Sequence, residues 1–151
     1  MTVDQESTES DLNVGLLLFI PSRAMETRVF AALAAAGFDD FTPAQARVLQ
    51  RIGPEGTRLT ELAEAAQVTK QTASFLVAQL ERAGYVRRTP DPSDARARLV
   101  RIADRAEAAR PIAEAAVAEV EAEWREHLGR REWDRLRTTL TRLREITDPY
   151  R

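Results

Sequence analysis

The 151-residue sequence has no cysteine, which excludes disulfides, thiolate metal sites, cysteine nucleophiles and thiol-based redox sensing. Its one histidine, His127, cannot build a metal site alone. No glycine-rich phosphate loop is present and no acid pair stands out, so the expectation is a non-enzyme without metal or cofactor. No apolar run, LLLFI at 16–20 included, approaches the roughly 20 residues a membrane span needs. The acidic opening MTVDQESTES lacks the basic n-region of a signal peptide. A cytoplasmic protein with no membrane partner is therefore expected. Lysine is almost missing too: all but one of the 22 basic side chains are arginine. Beside so much alanine this reflects genomic base composition, so arginine number alone carries no functional weight.

What remains is 44% hydrophobic and 30% charged, the balance of one globular domain. The net charge of −2 is unevenly spread: residues 1–57 carry −4, residues 58–101 carry +3 and residues 102–151 carry −1. A basic middle third on an acidic chain suits a polyanion bound through one face.

Residues 1–11 are polar and expected to be disordered. Leu12 to Ala36 reads as a helix kinked at Pro21 and ended by Gly37. Thr42-Pro43-Ala44-Gln45 combines an N-cap, a proline at the first helical position and a capping box; that helix is expected to run to Ile52. Thr60 is the candidate cap of a short helix, ELAEAA. After a tight turn at Gln67-Val68, Thr69 caps a longer helix that ends before Gly84, with Ala73, Leu76, Val77 and Leu80 on its buried face. Two helices joined in this way form a helix-turn-helix. YVRRT and ARLVRI flank PDPSDAR, the pattern of a hairpin with a loop longer than two residues. Val86, Val100 and Ile102 face inward in this reading, and Arg87, Arg98 and Arg101 outward. Asp104 to Leu128 is helical with a bend at Pro111, and Trp133, Leu136, Leu140, Leu143 and Ile146 mark the apolar stripe of a last helix.

With the buried face fixed, Lys70, Gln71, Ser74, Phe75 and Ala78 lie on the outer face of the 69–83 helix. Short polar side chains in the first two turns, with unpaired backbone N–H groups and the positive dipole end, match a helix inserted N-terminus first into a major groove. A capped, solvated helix start explains the same residues one at a time. The hairpin tilts the balance, because Arg96 and Arg98 at its tip and shoulder suit a narrow, electronegative minor groove. Asp91 and Asp94 serve either as turn formers or as carboxylates holding a guanidinium in one orientation. Arg87, Arg88 and Arg101 are either phosphate contacts or a solvated strand face.

The register of LxELA, T-x-x-T, LVxxLExxGYVxR and the DPxDxRA wing, within LTELAEAAQVTKQTASFLVAQLERAGYVRRTPDPSDARARLVRI, resembles the MarR family of bacterial transcription regulators, over roughly Leu12 to Ile146. The resemblance implies a mainly α fold with a small β-hairpin wing, a winged helix-turn-helix dimerised through its N- and C-terminal helices. Residues 42–103 would form the DNA-binding region, and 12–36 with 104–151 the helical dimerisation region. It implies a homodimer on double-stranded DNA, a sequence-specific regulator, usually a repressor, acting on a palindrome. By position, Arg96 matches the minor-groove arginine of the wing and Asp94 the acid that braces it. Lys70, Gln71 and Ser74 match base- or phosphate-contacting positions, Thr69 and Thr72 phosphate-side positions. Two positions depart from the family pattern. Ala95 replaces a second basic residue, and Phe75 stands where a basic or small residue is common, either touching a thymine methyl or, the preferred reading, packing under the wing.

Family members commonly release DNA when a small, often aromatic anion binds. Phe19, Phe30, Phe41 and Trp124, with Phe38 and His127, are the candidate pocket residues here, although aromatics on helical stripes are more often core. The competing reading is a winged-helix dimer that uses its basic face and Phe75 for a protein partner without binding DNA.

Overall fold

The computed structural model describes residues 11–150. It begins with α1 (Val14–Ala35), α2 (Pro43–Leu49), the two-residue strand β1 (Thr57–Arg58), α3 (Leu59–Ala65) and α4 (Lys70–Arg82). Strands β2 (Val86–Asp91) and β3 (Asp94–Ile102) form a hairpin, and α5 (Asp104–Leu128) and α6 (Arg130–Thr147) complete the chain. The expected disordered tail falls, but for Asp11, outside the described residues. No helix among the described residues is long and apolar enough to cross a membrane.

Local chemistry explains most boundaries. Asn13 caps α1 by accepting from the Leu16 N–H at 3.0 Å, and the helix continues through Pro21. Gly37, at φ +93°, reverses the chain while the Phe38 N–H returns to the Leu33 carbonyl at 2.9 Å. The capping box at α2 is present in both directions, with Gln45 N–H to Thr42 Oγ1 at 3.2 Å and Thr42 N–H to Gln45 Oε1 at 3.0 Å. That helix ends at Leu49, short of Ile52. Thr60 is not a cap: α3 starts at Leu59, two residues earlier than expected, with Arg58 at the N-cap position. The reason is β1, whose pairing with β3 keeps Arg58 extended up to the first helical residue.

The core of the winged lobe is the surface the helical spacing pointed to. Ala73, Leu76, Val77 and Leu80 of α4 are buried, and Val48, Leu62, Tyr85, Val86 and Val100 join the last three of them. Each such large side chain contributes about 1.5–3 kcal/mol relative to exposure. The sheet order is β1-β3-β2, with Val86 opposite Ile102 and Val100 shared between Thr57 and Arg88.

The hairpin differs from expectation at its end. Its loop is the two residues Pro92-Ser93, and the extra length lies in β3: Asp91 pairs with Asp94 and Pro90 with Arg98, leaving residues 95–97 as a bulge. Arg96 therefore lies exposed on a bulged strand, three positions beyond the Pro92-Ser93 loop.

Of the stripe on α6 only Trp133 is buried; Leu136, Leu140, Leu143 and Ile146 are exposed, as are Leu16, Leu17, Leu18, Phe19 and Ile20 on α1. One chain leaves this apolar surface uncovered. The end of α6 instead reaches the winged lobe: Asp148 accepts from Arg51 at 2.6 and 3.2 Å and from Arg144 at 2.9 Å, and the Tyr150 hydroxyl donates to Glu64 on α3.

Candidate nucleic-acid interface

The front of α4 is organised by Thr69. Its hydroxyl oxygen accepts from the Thr72 N–H at 3.1 Å and donates to the Thr72 hydroxyl at 2.8 Å, which fixes the first turn while leaving both threonines exposed. Lys70 and Gln71 are exposed beside them, and Ser74 is half-buried. The turn before the helix holds Gln67 at φ 57°, a left-handed conformation that costs a non-glycine residue about 1 kcal/mol or more. The Val68 N–H then returns to the Ala63 carbonyl at 3.0 Å and closes the C-terminal end of α3.

The wing follows α4 through Gly84 and Tyr85. Arg87 and Arg101 sit directly opposite each other across β2 and β3. Like charges in that relation repel, and an anion laid across them relieves the repulsion. Arg101 also donates to Thr89 at 2.9 Å, and Arg98, exposed, to the Arg88 carbonyl at 3.2 Å. Arg88 turns the other way and pairs with Glu81 in the last turns of α4 at 3.4 Å.

Two carboxylates shape the wing, in roles the sequence did not separate. Asp94 accepts the Arg96 backbone N–H at 3.0 Å; it supports Arg96 through the main chain, not through the guanidinium. The guanidinium clamp belongs to Asp91, nearly buried, which takes Arg58 at 2.7–2.8 Å on one oxygen and the Ser93 N–H and hydroxyl at 2.8 and 2.7 Å on the other. The Ser93 donors, then Arg58, hold the Asp91 carboxyl down at about 2. Arg58 is a wing residue that sequence reasoning missed, because its partner lies 33 positions away.

A second missed group anchors the far end of α4. The Tyr85 hydroxyl donates to Asp40 at 2.6 Å, and Arg105 donates to both Asp40 oxygens at 2.7 and 3.0 Å and to the Ala83 carbonyl at 2.7 Å. The Arg105 guanidinium lies 4.5 Å over the Tyr85 ring, whose other neighbour, Phe41, is stacked at 5.1 Å. Burial first, then the bond to Asp40, push the Tyr85 phenol up to about 12.

That ring system walls a cavity of about 520 Å³ between α1, α2 and α5, with Phe30, Phe41, Tyr85 and Val29 on its apolar sides and Arg47 and Arg110 among its polar lining. A separate groove of about 870 Å³ is lined by Leu17, Phe19, Trp124, His127 and Leu140. The four candidate pocket aromatics thus divide: Phe30 and Phe41 line the cavity, Phe19 and Trp124 the groove. Helix geometry explains the split, since eleven residues at about 1.5 Å each place Phe19 and Phe30 roughly 16 Å apart along α1. Phe38 packs against the core.

The profile of the MarR family matches residues 39–97. Among solved structures, that of MarR is 26% identical, with a TM-score of 0.73 over 90% of this chain and 98% of the other. The transcriptional repressor CouR of Rhodococcus jostii RHA1, bound to a 23-mer DNA duplex, is 26% identical with a TM-score of 0.71 over 94% and 99% of the two chains. A MarR family protein of Mycobacterium tuberculosis in complex with salicylic acid is 28% identical with a TM-score of 0.62 over 88% and 97%. No curated relative matches by sequence. The profile falls on the helix-turn-helix and wing, and the likeness in fold extends over the terminal helices: the chain has a winged helix-turn-helix fold and is similar throughout to transcription regulators of the MarR family.

Proposed function

We propose that the protein is a homodimeric repressor that reads a palindromic operator with the first turns of α4 and the β2–β3 wing, and that a small aromatic anion relieves repression. One observation carries the reading: the exposed hydrophilic front of α4 continues through Gly84 and Tyr85 into a hairpin bearing exposed Arg96 and Arg98, in a fold matched by a DNA-bound repressor. Gln71 is the base reader, pairing with adenine in the major groove. Thr69, Lys70, Thr72 and Ser74 flank it toward phosphate, and Arg87 adds a phosphate contact beside Arg101. Arg96 and Arg98 enter the adjacent minor groove, with Asp94 fixing the backbone of Arg96.

Residues 42–103 form the DNA-binding region, while 12–36 and 104–151 pair two copies. The exposed apolar residues of α1 and α6 support that pairing, and two-fold symmetry sets the half-sites about 34 Å apart. For the effector, the cavity behind Tyr85 offers aromatic walls and the guanidinium groups of Arg47 and Arg110; similar proteins are bound to p-coumaroyl-CoA and to salicylic acid.

A mobility-shift titration over a salt series, on the DNA upstream of the protein's own gene, tests the reading. Arg96→Ala is expected to weaken binding and lower the salt slope by about 1. Gln71→Ala should relax sequence preference, and Arg87→Ala should weaken all sequences alike. Equal affinity and equal salt dependence of Arg96→Ala and wild type would remove the wing from the interface.

A further inference from the structure

Between residues 21 and 127 the chain exposes one large apolar side chain among the described residues, Phe75, at 61% accessibility. The other exposed large hydrophobics belong to the start of α1 and to the C-terminal segment. Phe75 is thus not packed under the wing, the preferred reading of its sequence position. At 3.6 residues per turn, Gln71, Phe75, Ala78 and Arg82 fall on one line of α4, farthest from the buried line of Ala73, Val77 and Leu80. A single surface phenyl ring is unremarkable elsewhere; here it follows the proposed base reader by one turn.

We propose that Phe75 is a specificity-determining residue that recognises thymine through its 5-methyl group in the major groove, an inference that rests on the DNA-binding reading above. A phenyl ring has no donor or acceptor, so it cannot read the hydrogen-bonding edges of guanine, cytosine or adenine. The thymine methyl is the apolar group that the major groove presents. Gln71 and Phe75 are four residues, roughly 6 Å, apart along the helix, which is within two base steps of about 3.4 Å. Each half-site therefore carries an adenine for Gln71 and, within two base pairs, a thymine whose methyl touches Phe75. Because the contact is uncharged, it sharpens sequence preference without adding to the salt dependence that Arg96 and Arg87 supply.

The experiment uses the full chain. A palindrome is first selected from a random duplex pool, and each thymine of its half-site is then replaced by deoxyuridine, which lacks only the methyl. Wild type is expected to lose roughly fourfold in affinity per contacted methyl at one half-site position, the equivalent of about 0.8 kcal/mol for a buried carbon group. Phe75→Ala should bind the thymine and deoxyuridine duplexes equally at that position, with the salt slope of wild type, and Phe75→Leu should retain part of the discrimination. If Phe75→Ala keeps the wild-type ratio at every position, or no position distinguishes the two bases for wild type, the assignment is overturned while DNA binding stands. If wild type enriches no sequence from the pool, the DNA-binding reading itself falls and takes the assignment with it.

Discussion

Replacing Tyr85 with phenylalanine probes the joint between α4 and the rest of the molecule. The ring stays: its stacking on Phe41 at 5.1 Å and the Arg105 guanidinium 4.5 Å above it are untouched. One hydrogen bond goes, the 2.6 Å bond from the phenol to Asp40. A bond to a charged acceptor is worth about 1.5–3 kcal/mol, but the Asp40 side chain is 43% exposed and keeps Arg105, so water and Arg105 recover part of the loss. The expected destabilisation is about 1–1.5 kcal/mol, or roughly 3–5 °C in Tm for a chain of this length. Thermal and urea unfolding of Tyr85→Phe, Asp40→Asn and the double variant measure it, with a coupling of at least about 0.5 kcal/mol between the two sites. Phenolate absorbance gives an independent readout. The folded-state phenol is raised to about 12 from an ordinary 10.0, so the stability held below pH 10 is lost as pH rises from 10 toward 12, and Asp40→Asn shifts the titration downward. Additive single variants, or a Tyr85 that titrates at its ordinary value, would refute the reasoning.

Three other perturbations have defined outcomes. Gly56→Ala should destabilise by about 1–3 kcal/mol more than Gly37→Ala, because both glycines are left-handed but a Cβ at Gly56 would lie 3.0 Å from Leu99 Cβ and Arg101 Cγ, whereas at Gly37 it meets nothing within 4 Å; equal losses in urea unfolding would show that sterics between β1 and β3 play no part. Acid unfolding should have a component from Asp91: its ordinary value of 3.8 is lowered to about 2, so its contribution is present above pH 3.8 and is lost as pH falls toward 2, and Asp91→Asn should flatten the curve in that window. Leu140→Asp places a charge in the exposed stripe of α6 and is expected to yield a monomer by analytical ultracentrifugation, with the far-ultraviolet circular dichroism of wild type; a variant that still sediments as a dimer would exclude that stripe from the contact.

Signals between near neighbours in the sequence were legible, and those between distant ones were not. The Thr42/Gln45 capping box, the left-handed Gly37 and the span of α5 depend on contacts within a few residues, and the buried face of α4 shows in a spacing that repeats within the helix; each is present. Strand β1 escaped because two residues carry no period, and its pairing displaced the expected start of α3. The DPSD turn chemistry is compatible with a short or a long loop; the bulge at 95–97 depends on the β2–β3 register. Within the candidate site, the polar front of α4 and the arginines of the hairpin could be read from spacing. The Asp40–Tyr85–Arg105 group could not, because its members are separated by 45 and 65 positions, and neither could the exposure of Phe75, which depends on where the wing folds.

Asp148 makes the last helix an outrigger for the winged lobe. Its carboxylate, held below the usual carboxylate range by Arg51 and then by Arg144, joins the tail of α6 to the end of α2 across 97 positions. The lobe cannot swing about its junctions with α1 and α5 while α6 stands still unless this fastening and the neighbouring Tyr150–Glu64 bond let go. In the proposed dimer, any rearrangement that alters the reach between the two lobes must therefore either carry α6 along or release Arg51 and Glu64 from its tail, and severing both contacts should make the proposed half-site spacing more permissive without touching a group proposed to face the duplex.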